Sequence, residues 1–249
     1  MILVIDIGNT NITCGIYQDE SLVKTFRLVS DKTKKTNYIE ELKNNTAAYK
    51  ITECFIGSVV DELNIELKQA CDKAFGIKSC LFDKTFKSGV VLDVEKPETV
   101  GVDRIANAYG AYKKYSAACI VIDSGTATTF DIVSEDGRFF GGIIMPGLEM
   151  QLNSLCEKTS KLPNIEIEQI DSVIGRDTKT CILSGVIRGH ACAIEGLIAE
   201  CEKEINDKPI IIATGGLSSL ISKYMKRKFD YIEPNLTLDG FLELYKLNK

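Results

Sequence analysis

The chain has 249 residues, 45% apolar and 26% charged, with a net charge of −5, a balance that supports a packed core and excludes a disordered, collagen-like or polyelectrolyte chain. A single histidine, His190, leaves no partner for a His-pair metal site, and any imidazole triad would rest on that one residue. Nine cysteines scattered singly, with no C-x-x-C spacing, predict reduced and mostly buried thiols in a cytoplasmic protein rather than a disulfide scaffold.

No apolar run reads as a membrane span, and the start MILVIDIGNTN lacks the basic region of an export signal. The densest basic stretches, Lys32, Lys34 and Lys35, then Lys223, Lys226, Arg227 and Lys228, carry no interleaved aromatic residues. They read as solvated charge rather than a nucleic-acid track, so neither nucleic acid nor membrane is expected as a partner.

In chain order, the first feature is a strand-turn-strand unit. Residues 2–16, ILVIDIGNTNITCGI, are matched by residues 119–133, CIVIDSGTATTFDIV, when Asp6 is aligned on Asp123. Each gives an apolar β-branched run, a turn of the kind Asp-x-Gly, and a second alternating run. In the first half a third strand is expected over 22–28, a helix over 37–50, a strand over 54–60 and an amphipathic helix over 61–75 opened by an acidic N-cap. Pro97 and Gly101 punctuate a loop, and Ile105, Ala108 and Tyr112 indicate a helix starting near Val102. In the second half, strands are expected over 118–122, 128–133 and 138–144, and Pro146 and Gly147 break the chain before a helical stretch. Apolar spacing of three and four predicts a long helix over 177–204, followed by a buried strand over 209–213 and another helix. The boundary is expected near 113–117, giving two related α/β lobes, 1–115 and 116–249, with a cleft between them as the default place for a ligand.

The repeated turns suggest chemistry. An Asp at a strand end followed by Gly sets a carboxylate where backbone can approach a ligand closely. Asn9, Thr10, Asn11 and Thr13, or Thr126, Thr128 and Thr129, supply neutral donors suited to phosphate oxygens, while the carboxylate suits a cation that neutralises them. One such turn is weak evidence, because Asp-Gly turns join many hairpins; two at matched places carry more. Thr214-Gly215-Gly216, after the last apolar strand, is a third glycine turn against which a nucleotide could lie. In Gly101-Val102-Asp103-Arg104, Asp103 falls in the first turn of a helix, where the dipole keeps a carboxylate ionised. It could accept the proton of an attacking hydroxyl while Arg104 holds an anionic substrate, or it could merely stabilise the helix start.

These residues together resemble the type III pantothenate kinases, within the acetate and sugar kinase, heat-shock and actin superfamily. DIGNTN at 6–11, GVDR at 101–104, DSGTATT at 123–129, GGIIMPGL at 141–148, GRDT at 175–178, SGV at 184–186 and TGG at 214–216 stand in the family's order. The resemblance implies an actin-like ATPase fold of two ribonuclease H-like lobes, the two being duplicates of one βββαβα unit. It implies ATP-dependent phosphorylation of pantothenate to 4'-phosphopantothenate, the first step of coenzyme A biosynthesis. On it, Asp6, Ile7, Gly8, Asn9, Thr10, Asn11, Ile12 and Thr13 wrap the ATP phosphates, and Gly125, Thr126, Gly215 and Gly216 complete the nucleotide site. Asp103 is the base; Val94, Gly101, Val102, Asp103, Arg104 and Thr178 hold pantothenate. Asp123 ligates a monovalent cation, potassium or ammonium, and magnesium arrives with ATP. A homodimer completes the substrate pocket at its interface. One departure is Val94, where the family often has a tyrosine that touches pantothenate. A catalytically altered nucleotide-binding regulator, or a kinase for another small alcohol, stands as the alternative.

Overall fold

The computed structural model describes residues 1–33, 35–83, 85–157 and 165–249. It divides into two compact units, Met1–Lys113 with Leu236–Lys249, and Lys114–Asn235.

In the first unit, β1 (Ile2–Ile7), β2 (Asn11–Gln18) and β3 (Ser21–Val29) form an antiparallel meander, and β1 also pairs in parallel with β4 (Glu53–Ser58), which pairs with β5 (Cys80–Leu81). The sheet order is β3-β2-β1-β4-β5. β1 and β4 are buried on both faces, which is why their sequences run as continuous apolar stretches, whereas edge strand β3 alternates. Helix α1 (Tyr38–Thr46) starts where the Asn37 side chain accepts the Glu40 N–H. It ends sooner than the 37–50 expected. Helix α2 (Asp61–Phe75) stops at Gly76, held left-handed at φ 67°. Its N-cap is Val60, which offers no side-chain acceptor; Asp61 is instead the first helical residue, so the expected acidic cap acts only through the dipole. Leu42, Leu63, Leu67 and Cys71 close the core over Leu3, Ile5, Cys14 and Ile56.

Helix α8 (Leu236–Asn248) also belongs to this unit, whereas the sequence boundary put residues 116–249 together. Its placement follows from fit. Phe241 packs on Phe55 with ring centroids 6.2 Å apart, and Gly57 on β4 leaves the room: a Cβ there would overlap the Phe241 ring. Helix α3 (Val102–Tyr115) meets α8 where Gly110 and Gly240 bring backbone against backbone. The α8 contacts extend to Tyr17, whose hydroxyl donates to Asp239 at 2.7 Å.

In the second unit, β6 (Cys119–Ser124), β7 (Ala127–Val133) and β8 (Arg138–Pro146) form the meander, and β9 (Ile210–Thr214) pairs in parallel with β6 and with β10 (Tyr231–Ile232). The order β8-β7-β6-β9-β10 repeats that of the first sheet. Helix α4 (Leu148–Glu157) follows the Pro146-Gly147 corner, and α7 (Ser218–Tyr224) follows β9. The long helix expected over 177–204 is one helical run in three parts: α5 (Thr178–Leu183), a π turn (Ser184–Arg188) and α6 (Gly189–Ile205). Asp177 caps it from outside through a reciprocal bond with Thr180. By length and composition this run, Thr178–Ile205, could cross a membrane. Its apolar face is instead core: Leu183, Val186, Ile187, Ala191, Ile194 and Ile198 pack with Ile120, Ile122, Phe130 and Ile211.

Candidate functional site

Asp6 lies opposite Thr13 on β2 and beside Gly57 on β4. The turn that follows is closed by the Gly8 N–H donating to the Asn11 carbonyl at 3.0 Å, and a Cβ on Gly8 would stand 3.0 Å from that oxygen. Asn9, Thr10 and Asn11 are exposed at its tip, while Ile7 and Ile12 are buried beneath it. Two residues outside the motif hold it. Ser30 donates its hydroxyl to the Gly8 carbonyl at 2.5 Å and its N–H to Thr10 at 3.2 Å. Lys32 donates to Asn9 Oδ1 at 3.3 Å, so one of the lysines read as solvated charge stands at the turn. The only sequence signal for Ser30 was its position just past the third strand.

Helix α3 begins with Gly101 as its cap residue, whose carbonyl accepts the Ile105 N–H at 3.1 Å. A Cβ on Gly101 would stand 2.5 Å from Asp103 Oδ1 and 3.6 Å from Val59, and the Val59 N–H in turn donates to the Ile7 carbonyl at 3.1 Å. Val59 thereby brings GVDR to the end of the first sheet that carries the Asp6 turn. Asp103 Oδ1 accepts the Arg104 N–H at 2.8 Å. Burial pushes the Asp103 carboxyl above the ordinary carboxylate value, outweighing that hydrogen bond and the Arg104 charge, which pull it down. Desolvation is thus the largest influence on this group, ahead of the favourable hydrogen bond and charge at the helix start. Val102 is buried and anchors the turn.

In the second unit, Asp123 stands opposite Thr129 and beside Thr214 in register. The turn is one residue shorter than its counterpart: Asp6 pairs Thr13 across Gly8 to Thr10, whereas Asp123 pairs Thr129 across Gly125 and Thr126. The Gly125 N–H donates to the Ala127 carbonyl at 3.1 Å, and the Gly147 N–H donates to the Thr126 carbonyl at 3.1 Å. Gly147 has no space for a Cβ, which would overlap the carbonyls of Gly125 and Thr126. Gly215, with φ +88°, is left-handed; a Cβ there would stand 2.7 Å from both Asp123 Oδ1 and the Ser124 carbonyl oxygen. Three glycines thus bring a carboxylate and backbone carbonyls close together, an all-oxygen donor set that fits a hard cation and close approach of phosphate. Among the described residues no group of three His, Cys, Asp or Glu could hold a metal, so any cation here depends on backbone oxygens.

His190, 2% exposed, is enclosed by the same turns. Its Nε2 lies 3.0 Å from Thr128 Oγ1 and its Nδ1 lies 2.8 Å from Gln151 Nε2, which also donates to the Pro146 carbonyl at 2.8 Å. A carbonyl only accepts, so the Gln151 atom it shares with the ring is the amide nitrogen, and Nδ1 must be bare. The proton sits on Nε2 and points at Thr128. Burial lowers the His190 pKa, consistent with a neutral ring.

Among the described residues, the contacts gathering the Asp103 cluster do not include Val94, half-buried before the short turn Pro97–Thr99. Those gathering the Asp123 cluster do not include Thr178, exposed at the first position of α5, or Gly216, exposed after Gly215.

Residues 2–200 match the sequence family described as type III pantothenate kinase. A type III pantothenate kinase from Finegoldia magna is 41% identical over 258 residues, covering 100% of this chain and 98% of that protein. One from Listeria monocytogenes serotype 4a is 35% identical over 255 residues, with the same coverage. Among solved structures, a Campylobacter jejuni chain described as a Baf family transcriptional activator superposes with TM-score 0.62 at 21% identity, covering 98% of this chain and 97% of that one. A ROK family glucokinase from Streptomyces griseus superposes with TM-score 0.53 at 15% identity, covering 97% and 98%. At those identities the structures speak for the fold, the two-lobe actin-like ATPase fold that the repeated sheet order embodies.

Proposed function

The chain belongs to the type III pantothenate kinase family, and from that premise we propose how its own residues divide the reaction. The enzyme is a phosphotransferase that uses ATP to phosphorylate pantothenate in coenzyme A biosynthesis. Asp103 is the base. The observation that carries this reading is a desolvated carboxyl, raised above its ordinary value, at the head of a helix that Val59 ties to the Asp6 turn.

The primary hydroxyl of pantothenate gives its proton to an Asp103 carboxylate oxygen as the oxygen to γ-phosphorus bond forms. The bond from that phosphorus to the bridging oxygen breaks, and ADP leaves with the electron pair. Asp6 to Thr13 receives the phosphates of ATP with turn amides and hydroxyls; Gly125, Gly215 and Gly216 take the nucleotide on their glycine backbones, and Thr126 adds a contact from its side chain. Gly101, Val102, Arg104 and Thr178 hold pantothenate, with Arg104 on its carboxylate and Val94 in apolar contact. Asp123 and the carbonyls around Gly215 would hold a monovalent cation, and magnesium would accompany ATP; the charge they supply offsets that of the phosphates. The protein works as a homodimer in a reducing cytoplasm, where burial raises the thiols of Cys14 and Cys54, which stay protonated and inert.

Purified protein supplied with ATP, magnesium, potassium and pantothenate should form ADP and phosphopantothenate one for one. Potassium-free buffer should abolish most turnover if Asp123 has the role given it. Turnover on another small alcohol but not pantothenate would redirect the substrate; an unchanged rate without any monovalent cation would remove the cation from the site.

A further inference from the structure

We infer that His190 is a positioning residue for ATP, holding the Gly125-Thr126 turn in its phosphate-receiving shape through Gln151 and Gly147. The inference rests on the reading of that turn as part of the nucleotide site. Five contacts connect them. The His190 Nε2–H reaches Thr128, two residues past Thr126, at 3.0 Å. Its Nδ1 accepts from Gln151, whose amide also grips Pro146, each at 2.8 Å. The Gln151 backbone N–H holds the Gly147 carbonyl at 2.9 Å. The Gly147 N–H holds the Thr126 carbonyl at 3.1 Å, an approach so close that a side chain on Gly147 would overlap that oxygen.

The turn is thus braced from both sides. One side is the start of β7, through Thr128; the other is the β8 to α4 corner, through Gln151. A single ring spans the two, because imidazole offers an acceptor and a donor at opposite edges. Thr128 and His190 are 1% and 2% exposed, so a ring lacking Nε2 would leave the Thr128 hydroxyl without its ring partner in a dry setting, and one lacking Nδ1 would leave the Gln151 amide held by the Pro146 carbonyl alone. His190 does not itself face the exposed turn, so its effect on ATP passes through Gly147 and Thr128.

The experiment is steady-state kinetics of the full-length protein with each substrate varied. Replacing His190 by Phe keeps a ring of similar size and removes both polar edges. H190F should raise KM for ATP about 5- to 100-fold, the span expected for stranding a buried hydrogen-bonding group, while kcat and KM for pantothenate stay within about twofold. H190Q should recover most of the loss, because an amide presents an acceptor beside a donor much as the ring does. Should H190F fail to fold by circular dichroism, Gln151→Met removes the same link from the other end and should give the same split. A KM for ATP unchanged in H190F, or a fall in kcat with both KM values moved alike and no recovery in H190Q, overturns the inference. T126A separates the role of the turn from the role of His190. If it leaves KM for ATP unchanged, the turn is not a phosphate site and both readings fall; if it raises KM for ATP while H190F does not, only the role of His190 falls.

Discussion

At Asp103 two opposing effects meet, and their balance decides both rate and stability. Burial disfavours the charged carboxylate, and the Arg104 N–H and guanidinium favour it; burial wins, so the folded-state value lies above the unfolded one. A raised carboxyl costs stability once ionised. The cost is complete above the folded-state pKa, shrinks as pH falls, and is gone below the unfolded value of about 3.9. Asp103→Asn, which keeps an oxygen for the Arg104 N–H, should therefore melt at a higher temperature than the parent near pH 7.5 and at the same temperature near pH 3.5. Turnover should fall by about 10²- to 10⁴-fold, the usual share of a general base, with ATP binding retained. Differential scanning fluorimetry at the two pH values and a coupled ADP assay check both halves; an Asn variant less stable at neutral pH would show that Asp103 is held by a stronger charge pair than its surroundings indicate. The neighbouring Gly101→Ala tests placement rather than charge. Its Cβ would lie 2.5 Å from Asp103 Oδ1, which can swing away. Folding should survive while kcat drops about tenfold or more, the penalty for misplacing a reacting group. Asp103 was legible as an acid in a helix's first turn, but the sign of its shift was not, because desolvation comes from neighbours distant in sequence.

At the scale of elements, what was legible was periodic. The strands of both meanders, α2 and α3 were found from alternation and from three- and four-residue spacing, each within a few residues of its observed ends. Periodicity could not reveal the π turn at Ser184–Arg188, whose residues keep a helical pattern, nor the shortened turn at Gly125 and Thr126 hidden by aligning Asp6 with Asp123. Nor could it tell which core α8 enters, since an apolar helix face carries no address. That choice is written in close-packed glycines. A Cβ on Gly240 would overlap the Ala106 carbonyl, and one on Gly110 would stand 3.0 Å from Gly240 Cα. Gly240→Ala must therefore push α8 off α3, at a cost of about 1–3 kcal/mol typical of overpacking and more than its gain in helix propensity. Urea unfolding with an unchanged m-value and a lowered midpoint would register it; a midpoint at or above the parent's would mean the two helices can separate without penalty.

For the whole molecule, chain order and fold order differ. The first unit is made of two segments, Met1–Lys113 and Leu236–Lys249, so its core is completed only by the last helix of the chain. Phe241, fully buried, is the side chain that seals it, sitting over Gly57 and against Phe55, with Tyr245 5.3 Å from the Phe55 ring centroid on the same helix. Phe241→Ala would leave a void walled by the backbone of β4, which cannot collapse inward because β4 is pinned between β1 and β5. The cost should reach about 3–5 kcal/mol, the range for removing a buried aromatic ring. Its location is the sharper test. Amide exchange should quicken in β1, β4 and α3 while β6, β7 and β9 of the second unit keep their protection, because the residues that close the second core, Ile187, Ile194 and Ile211 among them, come wholly from Lys114–Asn235. Equal loss of protection in both sheets would mean that the units open as one cooperative body, and that α8 stabilises the whole chain rather than the unit it completes.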